Sequence, residues 1–413
     1  MKKSTFSSSF RKWLCVGLLP VFLFGSVPAF AKEKFKVAWT IYAGWMPWDY
    51  AAQSGIIKKW ADKYDIEIDV VQVNDYVESI NQYTAGGFDG CVMTNMDALT
   101  IPAAGGVDST AMIIGDYSNG NDGVVLKGKS ELKDIKGQPV NLVELSVSHY
   151  LLARALETQG MNEKDIKIVN TSDADIVSAY ATKDVTATVT WNPMLSEVVK
   201  QPGSHLVFDS SKIPGEILDL MVVKTDKLKA HPELGKALAG AWYEVMYTMS
   251  GNDAKAKQAR TAMAKASGTD LAGYDAQLKA TKMFYNPVDA LSQAQDPHLK
   301  LTMQLVSEFS LQHGLLGENA PSADFIGIET PAGIYGDKNN VKLRFDPTYM
   351  QMAADGIISI DTQGKVLDYN PAAEHILGWA PAEVIGKNVG MLLPEALSGQ
   401  LAEYLQKHEQ AQN

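Results

Sequence analysis

Cysteine is nearly absent. The 413 residues hold two, Cys15 and Cys91, too few for a disulfide framework or for a cysteine-built zinc or iron–sulfur site. Positive charge is also short: 37 lysines and arginines stand against 48 acidic residues, a formal charge of −11. Sequence-independent attachment to nucleic acid or anionic lipid is therefore not expected. The GxSxG elbow and the P-loop are missing, and the seven histidines are scattered without metal-ligand spacing. Beyond residue 31 no stretch approaches the ~18 uncharged apolar residues of a membrane span. The remaining composition, 46% hydrophobic and 21% charged, is that of an ordinary globular chain, long enough for two or three domains of ~100–200 residues each.

The first segment that is clearly present is a leader. Lys2, Lys3, Arg11 and Lys12 precede an apolar run over residues 13–24, and Ala29-Phe30-Ala31 follows as a small-x-small pattern. This pattern predicts a secretory signal peptide cut after Ala31, and an exported mature chain. The run is well short of the ~20 residues a membrane anchor requires. Cys15 lies at its start instead of after it, which argues against a lipoprotein.

From residue 34 short β-rich runs alternate with amphipathic stretches, the signature of parallel sheets with helices on both faces. Strands are expected at 35–39, 66–73, 90–94, 110–114, 123–126, 139–143, 166–169, 187–191, 206–208 and 218–223. Helices such as 77–84 and 148–159 fall between them. Past Thr225 the period changes, and 226–249, 253–265, 271–282 and 298–313 read as helices with no further strand. Ten strands are more naturally two sheets than one. The expected organisation is a signal peptide over 1–31, a first lobe from 32–121 and 220–345, and a second lobe over 122–219. Residues 120–123 and 218–224 would be the crossings, and a ligand would sit in the cleft outside the strand ends.

The last part differs. DGIISIDTQGKVLDY over residues 355–369 predicts a hairpin, and Asn370-Pro-Ala-Ala-Glu374 opens a helix. With the LGW and E-V-I-G-K runs that follow, residues 350–413 resemble the front half of a PAS domain. The closing strands of such a domain are lacking, which implies a truncated α+β segment, partly folded or sticky, left from a longer reading frame.

Four segments end at the expected strand tips: TIYAGWMPWDYAAQS (40–54), TNMD (94–97), ELSVSHY (144–150) and WNP (191–193). In that order they resemble the solute-binding subunits of nitrate/sulfonate/taurine-type ABC importers, most of all the branch associated with urea or guanidine carboxylation. The resemblance runs over about residues 33–345. It implies an α/β, two-lobed type II periplasmic binding fold with hinge crossings, which closes on a small solute and passes it to a permease in the inner membrane.

The same segments decide what charge the ligand can carry. No lysine or arginine occurs in residues 38–56, 89–125, 141–152 or 185–198, so a bound anion would have only neutral donors. Asp49, Asp97 and Glu144 are there instead, with Trp45, Trp48 and Trp191. Carboxylates beside indole faces suit a planar, proton-rich or cationic solute of the urea or guanidine kind. Tyr42, Asn95, Ser146, Ser148, Asn192 and Asp219 complete the candidate ligand set. Asp49, Asp97 and one of the two serines compete for helix-capping roles, either tryptophan could simply pack beneath its loop, and His149 is expected to be structural. Taurine, nitrate or sulfonate binding is the alternative ligand class. Catalysis is not expected, since no nucleophile or cofactor motif accompanies the carboxylates; thiamin-precursor synthases share the architecture but carry a cysteine-rich motif that this chain lacks. No cofactor or metal is implied, the chain is expected to be a monomer, and the other functional alternative is a sensor that passes lobe closure to the PAS-like region.

Overall fold

The computed structural model describes residues 31–317, 319–394, 397–401, 403 and 405. All but the last residue of the expected signal peptide lies outside them. Two sheets form the frame. The first draws its strands from both flanks of the chain: β1 (Glu33–Trp39), β2 (Ile66–Gln72), β3 (Gly90–Thr94) and β4 (Ser109–Ser118) come before the second sheet. The second sheet is built by β5 (Asp122–Lys127), β6 (Pro139–Leu142), β7 (Lys167–Asn170), β8 (Ala187–Trp191) and β9 (Ser204–Asp209). The chain then returns to the first sheet with β10 (Leu218–Lys224), β11 (Thr281–Met283), β12 (Gly327–Thr330), β13 (Gly333–Tyr335) and β14 (Val341–Phe345).

The first sheet runs β13-β12-β14-β4-β10-β3-β1-β2 with β11 paired to β4, and the second runs β7-β6-β8-β5-β9. Parallel pairs β1–β2, β1–β3 and β6–β7 are joined by helices, as crossover connections require. The apolar runs that predict central strands, CVMT in β3 and AMII in β4, are buried on both faces.

The two crossings between sheets pass through residues 119–121 and 210–217. Ser210 ties them together: its hydroxyl lies 2.6 Å from Ser118 Oγ and accepts the Gly120 N–H at 2.8 Å. Leu218–Lys224 is a strand of the first sheet, antiparallel to both β3 and β4, as expected for 218–223, but it is not the return crossing, which precedes it. It is apolar and buried nearly throughout, which a crossing exposed at a hinge would not tolerate.

The region past Thr225 departs from the expectation of helices alone. Its strands β11, β12 and β13 have three or four residues each, too short to show a period-2 pattern. The expected helix 226–249 breaks at His231 into Thr225–Ala230 and Pro232–Ser250, because Pro232 can start a helix but not continue one. The expected helix 271–282 stops at Lys279, and the next residues pair with β4.

The final segment is folded. Strands β15 (Ile358–Ile360) and β16 (Val366–Tyr369) make the expected hairpin, and the helix Pro371–Leu377 is capped by the Asn370 side chain. Val366, Tyr369, Ala373, Val384, Val389 and Leu392 form a small core of their own. Lys63, the last residue of the helix Ile56–Lys63, reaches Asp368 at 2.7 Å, so the segment is held against the first sheet's helices instead of hanging free. Among the described residues no helix is long and apolar enough to cross a membrane.

Candidate functional site

A small cavity, about 10 Å³, lies between the two sheets. Its walls come from the loop after β1, the start of the helix Tyr76–Thr84, the tips of β3, β8 and β10, and Asp122 at the start of β5. The helices that place these residues are α1 (Met46–Gln53), α2 (Ile56–Lys63), α3 (Tyr76–Thr84), α4 (Asn95–Ala98) and α5 (Val147–Glu157).

Four aromatic rings form a chain across the cleft. Tyr42 meets Trp45 edge-on at 4.9 Å, Trp45 lies 5.6 Å from Tyr76, and Tyr76 meets Trp191 edge-on at 5.5 Å. The first three belong to the first lobe and Trp191 to the second, so closing the lobes completes the box. Trp191 Nε1 donates to the Ile41 carbonyl at 3.4 Å, and the Ala43 N–H donates to the Asn192 carbonyl at 3.2 Å. Gly44 is what lets this loop descend: a Cβ there would stand 2.5 Å from Asp116 Oδ2 and 2.6 Å from the Tyr42 ring.

Four aspartates lie at or beside the cavity, each no more than 3% exposed: Asp97, Asp116, Asp122 and Asp219. Asp116 on β4 and Asp219 on β10 are register partners, and their carboxyls lie within hydrogen-bonding reach of each other. Tyr42 donates its hydroxyl to Asp116 Oδ1 at 3.2 Å, and Asn121 donates to the Tyr42 oxygen at 3.2 Å. Ser118 donates to Asp122 at 2.5 Å. Asp97 accepts from Tyr76 at 2.6 Å, from Thr94 Oγ1 at 2.9 Å and from the Val147 N–H at 3.3 Å. The last bond places a carboxylate on the first turn of α5, where the helix dipole favours negative charge.

Burial pushes all four carboxyls upward: Asp97 to about 6, Asp116 and Asp122 to about 7, and Asp219 well above its ordinary range, with the neighbouring Asp116 charge adding to the last. Among the described residues no lysine, arginine or histidine lines the cavity. Several buried polar atoms here also lack a partner among the described residues: Asp97 Oδ1, Asp116 Oδ2 and Trp45 Nε1. Asp116 Oδ2 can be satisfied by Asp219 only if one of that pair keeps its proton. The carboxylates are not gathered as a metal-ligand group.

Of the residues singled out from sequence, Tyr42, Trp45, Trp191 and Asp219 line this cavity, and Asp97 sits directly behind Tyr76 and Thr94. The others are placed elsewhere. Trp48 stacks on Trp242 at 4.9 Å in the core. Asp49 is half-buried on α1, held by Gln53, and raised above its ordinary range by burial. Asn95 accepts the Leu218 N–H at 3.0 Å and donates to the Glu216 carbonyl at 2.9 Å, so it pins the return crossing. Glu144 is exposed, two residues past the end of β6 and just before Leu145, which has a left-handed φ of 61°. Ser146 caps α5 by accepting the Ser148 N–H. Ser148 is buried with its hydroxyl unpartnered, away from the cavity lining. Asn192 caps the turn at Ser196. His149 accepts the Leu145 N–H at 3.2 Å.

Tyr76, Asp116 and Asp122 went unnoticed in sequence. An acid in the otherwise apolar run AMIIGDYS was the available signal for Asp116, since a lone buried carboxylate in a central strand is costly without a partner.

Comparison with known proteins agrees with this architecture. Residues 38–265, more than half of the chain, match the model of the NMT1-like family. The chain belongs to the NMT1-like family. Residues 347–413 match the PAS fold, so a PAS domain stands at the C-terminal end of an α/β periplasmic-binding-protein fold. The taurine-binding periplasmic protein of Escherichia coli is 29% identical over 119 residues, 28% of this chain and 37% of that protein, so the match spans well under half of the relative's length. Among solved structures, the alkanesulfonate-binding protein SsuA of Xanthomonas axonopodis bound to MOPS superimposes with a TM-score of 0.58 at 15% identity, over 70% of this chain and 96% of that one. The aliphatic sulphonate binding protein SsuA of Escherichia coli gives 0.55 at 19% identity, over 68% and 94%. At these identities the likeness is one of fold.

Proposed function

We propose that the protein is the exported, periplasmic solute-binding component of an ABC-type importer, and that its cleft takes a small planar nitrogen cation of the guanidinium kind for delivery to a permease. The observation that carries this reading is the charge of the cleft: four buried aspartates and no basic side chain on the lining.

Each alternative ligand meets a specific cost. A sulfonate or nitrate would face carboxylates, and the start of α5, where an anion would ordinarily be received, is already taken by Asp97. Urea matches the donor demand but leaves the negative charge unanswered. A guanidinium ion answers both, with in-plane N–H groups for the lining carboxylates Asp122 and Asp219, Asp97 and Asp116 adding negative charge from behind them, and a face for the aromatic rings. Cation–π contact contributes about 0.5–2 kcal/mol, and charge-assisted hydrogen bonds about 1.5–3 kcal/mol each. At about 10 Å³ the cavity has room for no more than about one water molecule, so the lobes would have to part to admit even a solute of a few heavy atoms.

The test is calorimetric titration of the exported chain with guanidinium, urea, taurine and nitrate. Saturable heat with guanidinium and none with taurine or nitrate supports the reading; the reverse order removes it. A second reading, in which lobe closure is sensed by the PAS-fold segment, is favoured by the Lys63–Asp368 contact between the two. It predicts that guanidinium alters proteolytic protection of residues 350–394.

A further inference from the structure

A much larger cavity, about 630 Å³, lies far from the interlobe cleft, between helices of the first lobe and the PAS-fold segment. We infer that it is a second small-molecule site, taking an amphiphilic anion whose apolar body lies on the aromatic walls and whose carboxylate or sulfonate head is met by Lys236.

The helix Pro232–Ser250 supplies one wall. Lys236, Gly240, Tyr243 and Tyr247 follow one another at spacings of three and four residues, so they share one helix face, and all four line the cavity. Gly240 seats the Trp60 ring against the helix: a Cβ there would stand 2.3 Å from it. The opposite wall is the helix Pro371–Leu377, through Ala372, His375 and Ile376. Ile376 is 61% exposed, an apolar side chain that the chain itself leaves uncovered beside the opening.

Size and polarity fit a ligand site. The volume falls within the ~300–1,000 Å³ of small-molecule pockets, which are mostly apolar with a few placed polar groups. Two of those groups are unanswered here. The Tyr243 hydroxyl is buried with no hydrogen-bond partner among the described residues, an arrangement that costs free energy unless a ligand completes it. Lys236 is half-buried, and no carboxylate pairs with it among the described residues. The acids on the same walls are engaged: Glu244 accepts from Trp60 Nε1 at 2.6 Å and pairs with Lys59 at 2.8 Å, and Asp289 accepts from Asn286 at 2.7 Å. Asp289 keeps its charge, since Asn286 is neutral, but Lys236 is without an ion-pair partner among the described residues, so an anionic head is the one that completes its end of the cavity. The preference is opposite to that of the cleft, so the two sites can be titrated independently.

The experiment uses the exported chain with two fluorescent probes, anionic 1-anilinonaphthalene-8-sulfonate and neutral N-phenyl-1-naphthylamine, and dodecanoate as competitor. One equivalent of each probe is expected to bind, with dodecanoate displacing the sulfonate. Ala372→Trp fills the cavity from its less buried wall and should weaken both probes about tenfold or more. Lys236→Gln should weaken the sulfonate and dodecanoate about fivefold and leave the neutral probe unchanged. Guanidinium titration of both variants reports separately on the cleft and should match the wild type. Non-saturable binding, or probe affinity unmoved by Ala372→Trp, overturns the site, including the case in which another segment of the chain fills it. Equal weakening of both probes by Lys236→Gln overturns the head-group assignment.

Discussion

Asp116 and Asp219 face each other across neighbouring antiparallel strands, fully inside the protein, with no cation among the groups that set their charge. Two carboxyls in that position cannot both ionise cheaply. Without ligand a proton holds them together; a bound cation can take its place. The groups that face the pair are Tyr42 from the loop after β1, Asp122 from β5 and Tyr274 from the helix Leu271–Lys279, and each of these is neutral or acidic.

Replacing one member of the pair separates binding from folding. Asp219→Asn keeps the shape and removes a charge, so guanidinium affinity should fall by at least about tenfold, the loss of one charge-assisted hydrogen bond. The unliganded variant should melt no lower than the wild type at pH 8, because a buried acid opposing Asp116 is gone. A variant that binds as tightly as the wild type would take Asp219 out of the site.

The raised carboxyls make stability depend on pH. Asp97 stands at about 6 and Asp116 and Asp122 at about 7, burial being the main cause, against an unfolded value near ~3.9. Between these values the folded chain binds more protons than the unfolded one. The associated stability is complete below the unfolded value and is lost as pH rises through the folded ones. The melting temperature of the unliganded protein should therefore decline from about pH 5 to about pH 8, and saturating guanidinium should flatten the decline. A flat unliganded profile would contradict the protonated state of the cluster.

Two substitutions discriminate the wall of the cleft from its rim. Trp191→Ala removes the second lobe's ring and should weaken binding by roughly 1–2 kcal/mol. Glu144→Gln lies on an exposed strand end and should leave affinity unchanged. Isothermal titration of both against guanidinium checks the contrast, and weakening by Glu144→Gln alone would move the site to that rim.

Gly44→Ala tests the descent of the loop. Its Cβ would meet Asp116 Oδ2 and the Tyr42 ring below 3 Å, so urea unfolding should show a loss of about 1–3 kcal/mol. Wild-type stability in this variant would mean that the loop is free to rise.

The frame was readable in the chain because buried parallel strands leave long apolar runs. CVMT and AMII sit where they were expected. The strands β11, β12 and β13 were not readable, since three or four residues carry no period and tertiary pairing alone makes them strands; β14, which does alternate, was passed over. Asp219 and the aromatic residues Tyr42, Trp45 and Trp191, singled out at strand tips, are the ones that line the cavity between the sheets. Asp122 was hidden in the turn-like run SNGND, and Asp116 inside an apolar strand, because only sheet register brings them to the same place. Glu144 lies exposed beyond the end of β6, away from the cavity lining, and nothing in ELSVSH announces that the strand stops before it.

The central claim is that the cleft selects for positive charge, and guanidinium and urea, nearly isosteric and differing in charge, test it most directly. Titrated at pH 8 against the same protein, guanidinium should bind at least about a hundredfold more tightly, as expected when a buried carboxylate cluster gains or lacks its counter-charge. Equal affinity for the two, or tighter binding of urea, would contradict the account.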